Sequence, residues 1–93
     1  MKVISIWEEN HGMIGIAKDM PSAFEFLVKE HWVTPGMEFY DSSEGRFTLE
    51  TVKTQLELDT YEEALAKLYE CETEDYFDGY FRFDEEVIYE RKE

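Results

Sequence analysis

Apolar and polar positions alternate over residues 2 to 8 as they do in a half-buried strand, and residues 13 to 18 read as its partner. Glu9-Asn10-His11-Gly12 joins the two, and Asn and Gly tolerate positive φ, so a β-hairpin is expected. With a side-chain period of two, Ile4, Ile6, Ile14 and Ile16 share one face, the expected core side. Gly15 and Ala17 then leave room on the other face beside Trp7.

The period changes at Asp19. Asp19 is placed to cap a helix whose first turn admits Pro21, and Met20, Ala23, Phe24, Leu27 and Val28 follow at three- and four-residue spacing. That stripe would cover the isoleucine face. The helix should end near His31, since Thr34-Pro35-Gly36 is a turn signal that also stops helices. A short strand is expected at Met37 to Tyr40, before a polar loop from Asp41 to Gly45.

Residues 47 to 58 fit two patterns. Leu49, Val52 and Leu56 suit a helix capped by Thr48, whereas Val52, Thr54, Leu56 and Leu58 alternate like a strand; the helix is the preferred reading. Thr60 and Glu63 make a capping box, and Tyr61, Ala64, Leu65 and Leu68 form the apolar stripe of a helix running to about Cys71. Beyond Asp78-Gly79, Tyr80 to Phe83 alternate around Arg82 and Val87 to Tyr89 are β-prone. With Asp84-Glu85-Glu86 as a turn, a second hairpin is predicted.

The expected architecture is one α+β domain spanning residues 1–93. An antiparallel sheet made of an amino-terminal and a carboxy-terminal hairpin packs against two or three helices. A length of 93 residues holds one core, and 43% hydrophobic with 16% aromatic residues can close it without disulfides or metal. Cys71 is the single cysteine, so no disulfide framework exists, and Glu8 and Glu9 interrupt the opening apolar stretch before a signal-peptide core can form. No apolar run approaches bilayer length, and a cytoplasmic protein is expected.

Charge alters this plain picture. The net charge is −14, and it is unevenly shared. Residues 1 to 46 hold four basic and eight acidic groups, a net −4, and residues 47 to 93 hold five and fifteen, a net −10. Direct nucleic-acid binding through phosphates is not expected of such a chain, because that affinity comes from Lys and Arg displacing counterions. An anionic membrane surface is disfavoured for the same reason. Basic protein surfaces are the partners such a field attracts, and a homo-oligomer is compatible with the composition.

Glu70 to Glu90 concentrates the effect, with nine carboxylates, one arginine and six aromatic rings. Disordered acidic tails are poor in aromatics, so this stretch reads as folded. Its aromatic rings pack one side of the hairpin inward through Phe81 and Phe83, and its carboxylates face water or a partner. Glu70, Glu72, Glu74, Asp75, Asp78, Tyr80, Asp84, Glu85 and Glu86 are the candidate partner-binding residues. Crowding of these carboxylates is expected to raise their pKa values in the folded state.

Other chemistry finds little purchase. Placing Gly79 at the sixth position of a calcium loop puts Tyr76 third and Arg82 ninth, so one ligand is missing and a cation stands where an oxygen is needed. His11, His31 and Cys71 lack the spacing of zinc ligands. No nucleophile-elbow pattern surrounds Ser5, Ser22, Ser42 or Ser43, and Gly12 and Gly15 form no phosphate loop. No catalytic residue, cofactor or metal is assigned, and a non-enzymatic interaction domain is the expected function, with a small enzyme or metal-binding protein as an alternative.

The arrangement Ile4-Ser5-Ile6-Trp7, then Asn10-His11-Gly12-Met13-Ile14-Gly15, then an amphipathic helix ending at His31-Trp32, resembles short acidic proteins of Gram-positive phages and mobile elements. The likeness covers about the first third of the chain. It implies a small accessory protein and assigns no catalytic residue. It also implies an alternative function: a DNA mimic that occupies the basic groove of a host nucleic-acid-binding protein, with rows of carboxylates in place of phosphates.

Overall fold

The computed structural model describes residues 1–41, 45–70, 81–89 and 91. Strand β1 (Lys2–Glu8) and strand β2 (Gly12–Ala17) form the expected hairpin. Its turn closes with the His11 amide donating to the Glu8 carbonyl at 3.2 Å, and Gly12 takes φ of 76°, a value that suits glycine. Helix α1 (Met20–Lys29) follows, capped by the Asp19 carboxylate, which accepts from the Ser22 amide at 2.8 Å. The helix ends where expected: Glu30 is the C-cap, and His31, at φ of 60°, takes the left-handed position that reverses the chain.

Strand β3 (Glu38–Asp41) and strand β4 (Gly45–Thr48) make a separate two-stranded sheet. Sequence pattern predicts the first strand and not the second, which starts at the last residue of the expected polar loop and runs to the Thr48 cap of the following helix. Phe47 explains it: its ring stacks on cross-strand Phe39 with centroids 5.9 Å apart, and Phe39 is buried. Thr48 then caps helix α2 (Leu49–Gln55), its hydroxyl accepting from the Thr51 amide, so the helical reading of this ambiguous stretch holds. Glu57 ends the turn after α2 in the left-handed conformation, with the paired backbone bonds of a Schellman motif. Thr60 accepts from the Glu63 amide at the start of helix α3 (Tyr61–Glu70). The Tyr61 hydroxyl donates to Glu50, tying α3 to α2.

The last described strand, β5 (Phe81–Val87), corrects the expected second hairpin. Asp84-Glu85-Glu86 is no turn: it lies within one continuous strand, paired with β1 from Lys2↔Val87 to Glu8↔Phe81. Alternation resolves the three adjacent charges, because Asp84 and Glu86 point to one face and Glu85 to the other. Among the described residues the antiparallel sheet therefore has three strands in the order β2-β1-β5, built from the amino-terminal hairpin and one carboxy-terminal strand.

One core joins the sheet to all three helices and the small hairpin. It comprises Ile6, Ala17 and Phe81 from the sheet, Ala23, Phe24 and Leu27 from α1, Leu49 from α2, Ala64, Leu65 and Leu68 from α3, with Val33 and Phe39. The isoleucine face is corrected in two places. The β1–β2 register shifts between Ile6 and Trp7, inserting one extra residue in β2, so Ile14 packs toward the core while Ile16 turns outward and stays 61% exposed. Gly15 and Ala17 lie opposite Ile6 and Ile4, on the core side and away from Trp7. A Cβ at Gly15 would stand 2.8 Å from Phe26 Cζ, so the missing side chain is what lets that ring lie on the sheet.

Candidate functional site

Strand β5 divides the sequence-predicted acidic residues between two faces. On the inner face Phe81 is buried, and Phe83 meets Phe24 and Tyr69 edge to face at centroid distances of 6.0 and 5.6 Å. Such edge-to-face pairs add about 1 kcal/mol each beyond the area they bury. The inward packing expected for Phe81 and Phe83 is therefore present. Glu85 follows them on this face at the sheet margin, where it meets Lys2 at 3.0 Å.

The outer face carries a connected group that sequence pattern did not show. Arg82 Nε lies 2.9 Å from Asp84 Oδ2, and its guanidinium sits 4.7 Å from the centre of the Trp7 ring. Trp7 Nε1–H donates to Ser5 Oγ at 2.9 Å. The Ser5 hydroxyl, 2% exposed, in turn faces Glu86 Oε1 at 3.2 Å and the Asp84 carbonyl at 3.3 Å. Trp7 thus lies along the central strand as a lid over a buried serine, which would otherwise be an unsatisfied polar group. The signal in sequence was only Ser5 and Trp7 at the same parity, which places them on one face; their partners lie some eighty positions away.

Of the nine candidate residues, the structure brings Asp84 and Glu86 together, sends Glu85 to the opposite face, and places Glu70 at the end of α3, where it lies 3.6 Å from Lys67. Glu72, Glu74, Asp75, Asp78 and Tyr80 lie outside the described residues, as does the calcium-loop alignment around Gly79. The four described carboxylates all have polar partners within the chain. In each of the three ion pairs both side chains are substantially exposed, at 72% and 58%, 62% and 41%, and 53% and 67%. Exposed pairs of this kind contribute about 0 to 1 kcal/mol each and exchange readily for other partners.

The histidines sit apart from this face. The His11 imidazole bonds Glu8 and meets the Trp32 ring edge-on at 5.1 Å, while His31 serves the end of α1. Among the described residues no three His, Cys, Asp or Glu side chains converge as a metal site, and no helix is long and apolar enough to cross a membrane.

Two carboxyls outside the acidic stretch are lowered by local hydrogen bonds. Glu8 is held below its ordinary 4.5, chiefly by its hydrogen bond with His11, and Asp19 below its ordinary 3.8, chiefly by its hydrogen bonds with Ser22. A depressed folded pKa means the unfolded state binds more protons, so these groups stabilise the fold above their ordinary values. That contribution is lost as pH falls through the lower folded values. Melting curves from pH 7 to pH 3 should therefore show a destabilisation on the acid side that Glu8→Gln with Asp19→Asn makes shallower. An acid limb unchanged in the double variant would remove this assignment.

Fold and site together define a small α+β domain whose sheet ends in an acidic strand. Comparison with protein-family models, with curated proteins and with solved structures finds no match.

Proposed function

We propose that this chain is a non-enzymatic protein-interaction domain that binds a basic protein surface through its acidic and aromatic carboxy-terminal half, at the face built on β5. The observation that carries the reading is what surrounds that strand. Among the described residues, the exposed large apolar side chains Met1, Val87, Ile88 and Tyr89 gather at the carboxy-terminal end of β5, where the Ile88 amide bonds the Met1 carbonyl, while Met13 and Ile16 lie on β2 across the sheet. Asp84 and Glu86 precede that end on one face of β5 and Glu85 on the other, with a net charge of −14 behind them. Apolar contacts beside a rim of one charge suit a partner of opposite sign, with the apolar part supplying affinity and the charge supplying encounter rate.

Binding to a folded basic probe protein, titrated calorimetrically at low and high salt, tests this. Affinity should fall at least about tenfold between 20 and 200 mM salt, and the triple variant Asp84→Asn, Glu85→Gln, Glu86→Gln should bind about tenfold more weakly at low salt. Glutamine at position 86 keeps an oxygen for Ser5, so the fold is preserved. Equal binding by the variant, or none by the wild type at low salt, would overturn the proposal.

A DNA-mimic form of the same function has one supporting observation. Asp84 and Glu86 project from one face two residues apart, ~6.7 Å along the strand, as a short row of negative charges. In that form the chain and duplex DNA compete for one basic groove. Absence of competition against a DNA-binding probe protein that the chain does bind would leave the interaction domain without the mimicry.

A further inference from the structure

We infer that the open edge of β5, from Asp84 to Val87, accepts an extended Lys/Arg-rich segment of a partner as an added strand. This rests on the proposal that the chain binds a basic partner, and names how. Among the described residues the sheet stops at β5, so alternate backbone N–H and C=O groups along that edge face outward as a template for another strand.

The two edges of the sheet are unlike. The register of β2 is broken by its bulge, a device that disrupts further pairing, whereas β5 keeps an unbroken register against β1 over all seven residues. The backbone contact continues past the strand, with the Ile88 amide donating to the Met1 carbonyl at 2.9 Å. The Asp84–Val87 stretch is therefore held straight and in place from its inner side.

Side chains along that edge select the occupant. Asp84 and Glu86 flank it on one face and Glu85 on the other, so a second copy of this chain, itself at −14, would set carboxylate against carboxylate. A strand bearing Lys or Arg at alternate positions meets those groups with opposite charge, and the present partners of Asp84 and Glu85, exposed Arg82 and Lys2, yield at little cost. Val87, 73% exposed, and Tyr89, 88% exposed, offer apolar contact at the end of the edge. Backbone pairing provides the affinity and the charges provide selectivity, in the manner of strand-addition domains.

The probe is a capped seven-residue peptide alternating lysine and threonine, compared with two versions N-methylated at alternate residues in either frame. One frame removes the amides that would face β5 and the other removes those facing away. Strand addition predicts that one methylated peptide loses at least about tenfold in affinity while the other binds like the parent. It also predicts slowed hydrogen exchange at alternate amides between Asp84 and Val87 in the parent complex. Equal binding by both methylated peptides, or no gain in protection, would overturn strand addition. If the folded basic probe binds and the peptide does not, strand addition alone is lost; if neither binds at low salt, the basic-partner proposal goes with it.

Discussion

Replacing Phe39 with alanine is expected to lower the unfolding free energy by about 4 kcal/mol, the largest effect of any single truncation in the small hairpin. Phe39 is 1% exposed and stacks on Phe47, yet it belongs to the same buried cluster as the helices and the sheet. Its loss therefore removes contacts on both sides and leaves a cavity where β3 meets the core. Urea unfolding would show the midpoint falling by ~2 M with an unchanged slope if hairpin and sheet melt as one unit. A wild-type midpoint, accompanied by a separate early transition, would mean that the β3–β4 sheet is an independent appendage.

The second large effect is at Leu27. This side chain is fully buried on α1, among Ile6, Phe24 and Leu65 of the shared cluster. Leu27→Ala should cost about 3 kcal/mol, from lost transfer free energy and an incompletely collapsed cavity. Domains of this kind have total stabilities of about 5 to 15 kcal/mol, so the variant sits near the limit of folding at elevated temperature. Calorimetry decides it: a Tm within one or two degrees of wild type would show that the helix–sheet contact is not the main source of stability.

Those two residues also mark how far the sequence could be read. Leu27 was legible because α1 writes its buried stripe locally, between the Asp19 cap and the Pro35 turn, and the caps at Thr48 and Thr60 did the same for α2 and α3. Local signals of this kind need no knowledge of the rest of the chain. β4 was missed because four residues carry too little periodicity, and its cause is the ring of Phe39 across the hairpin. Strict alternation puts Ile16 inside, because a bulge costs one residue of register and leaves no mark in composition.

The candidate site divides in the same way. Acidity at Asp84, Glu85 and Glu86 was plain from the sequence. Their adjacency argued for a turn, since nothing local says that β1 supplies a pairing edge for seven residues. No sequence pattern brings Trp7, Ser5 and Arg82 together, because the group forms only when the two ends of the chain pair. Chemistry was legible, and placement was not.

That pairing has a kinetic side. Ser5 and Asp84 touch across 79 positions, and the whole of β5 pairs with β1 at comparable separations, while β2, the other neighbour of β1, lies within its own hairpin. Closing so long a loop costs chain entropy before any contact rewards it, and non-local pairing of this type slows folding. β5 should therefore dock late, onto a hairpin and helices already formed. Until it does, the far edge of β1 stands open with Val3, Ser5 and Trp7 uncovered, and that interval is when the young chain is most exposed to aggregation.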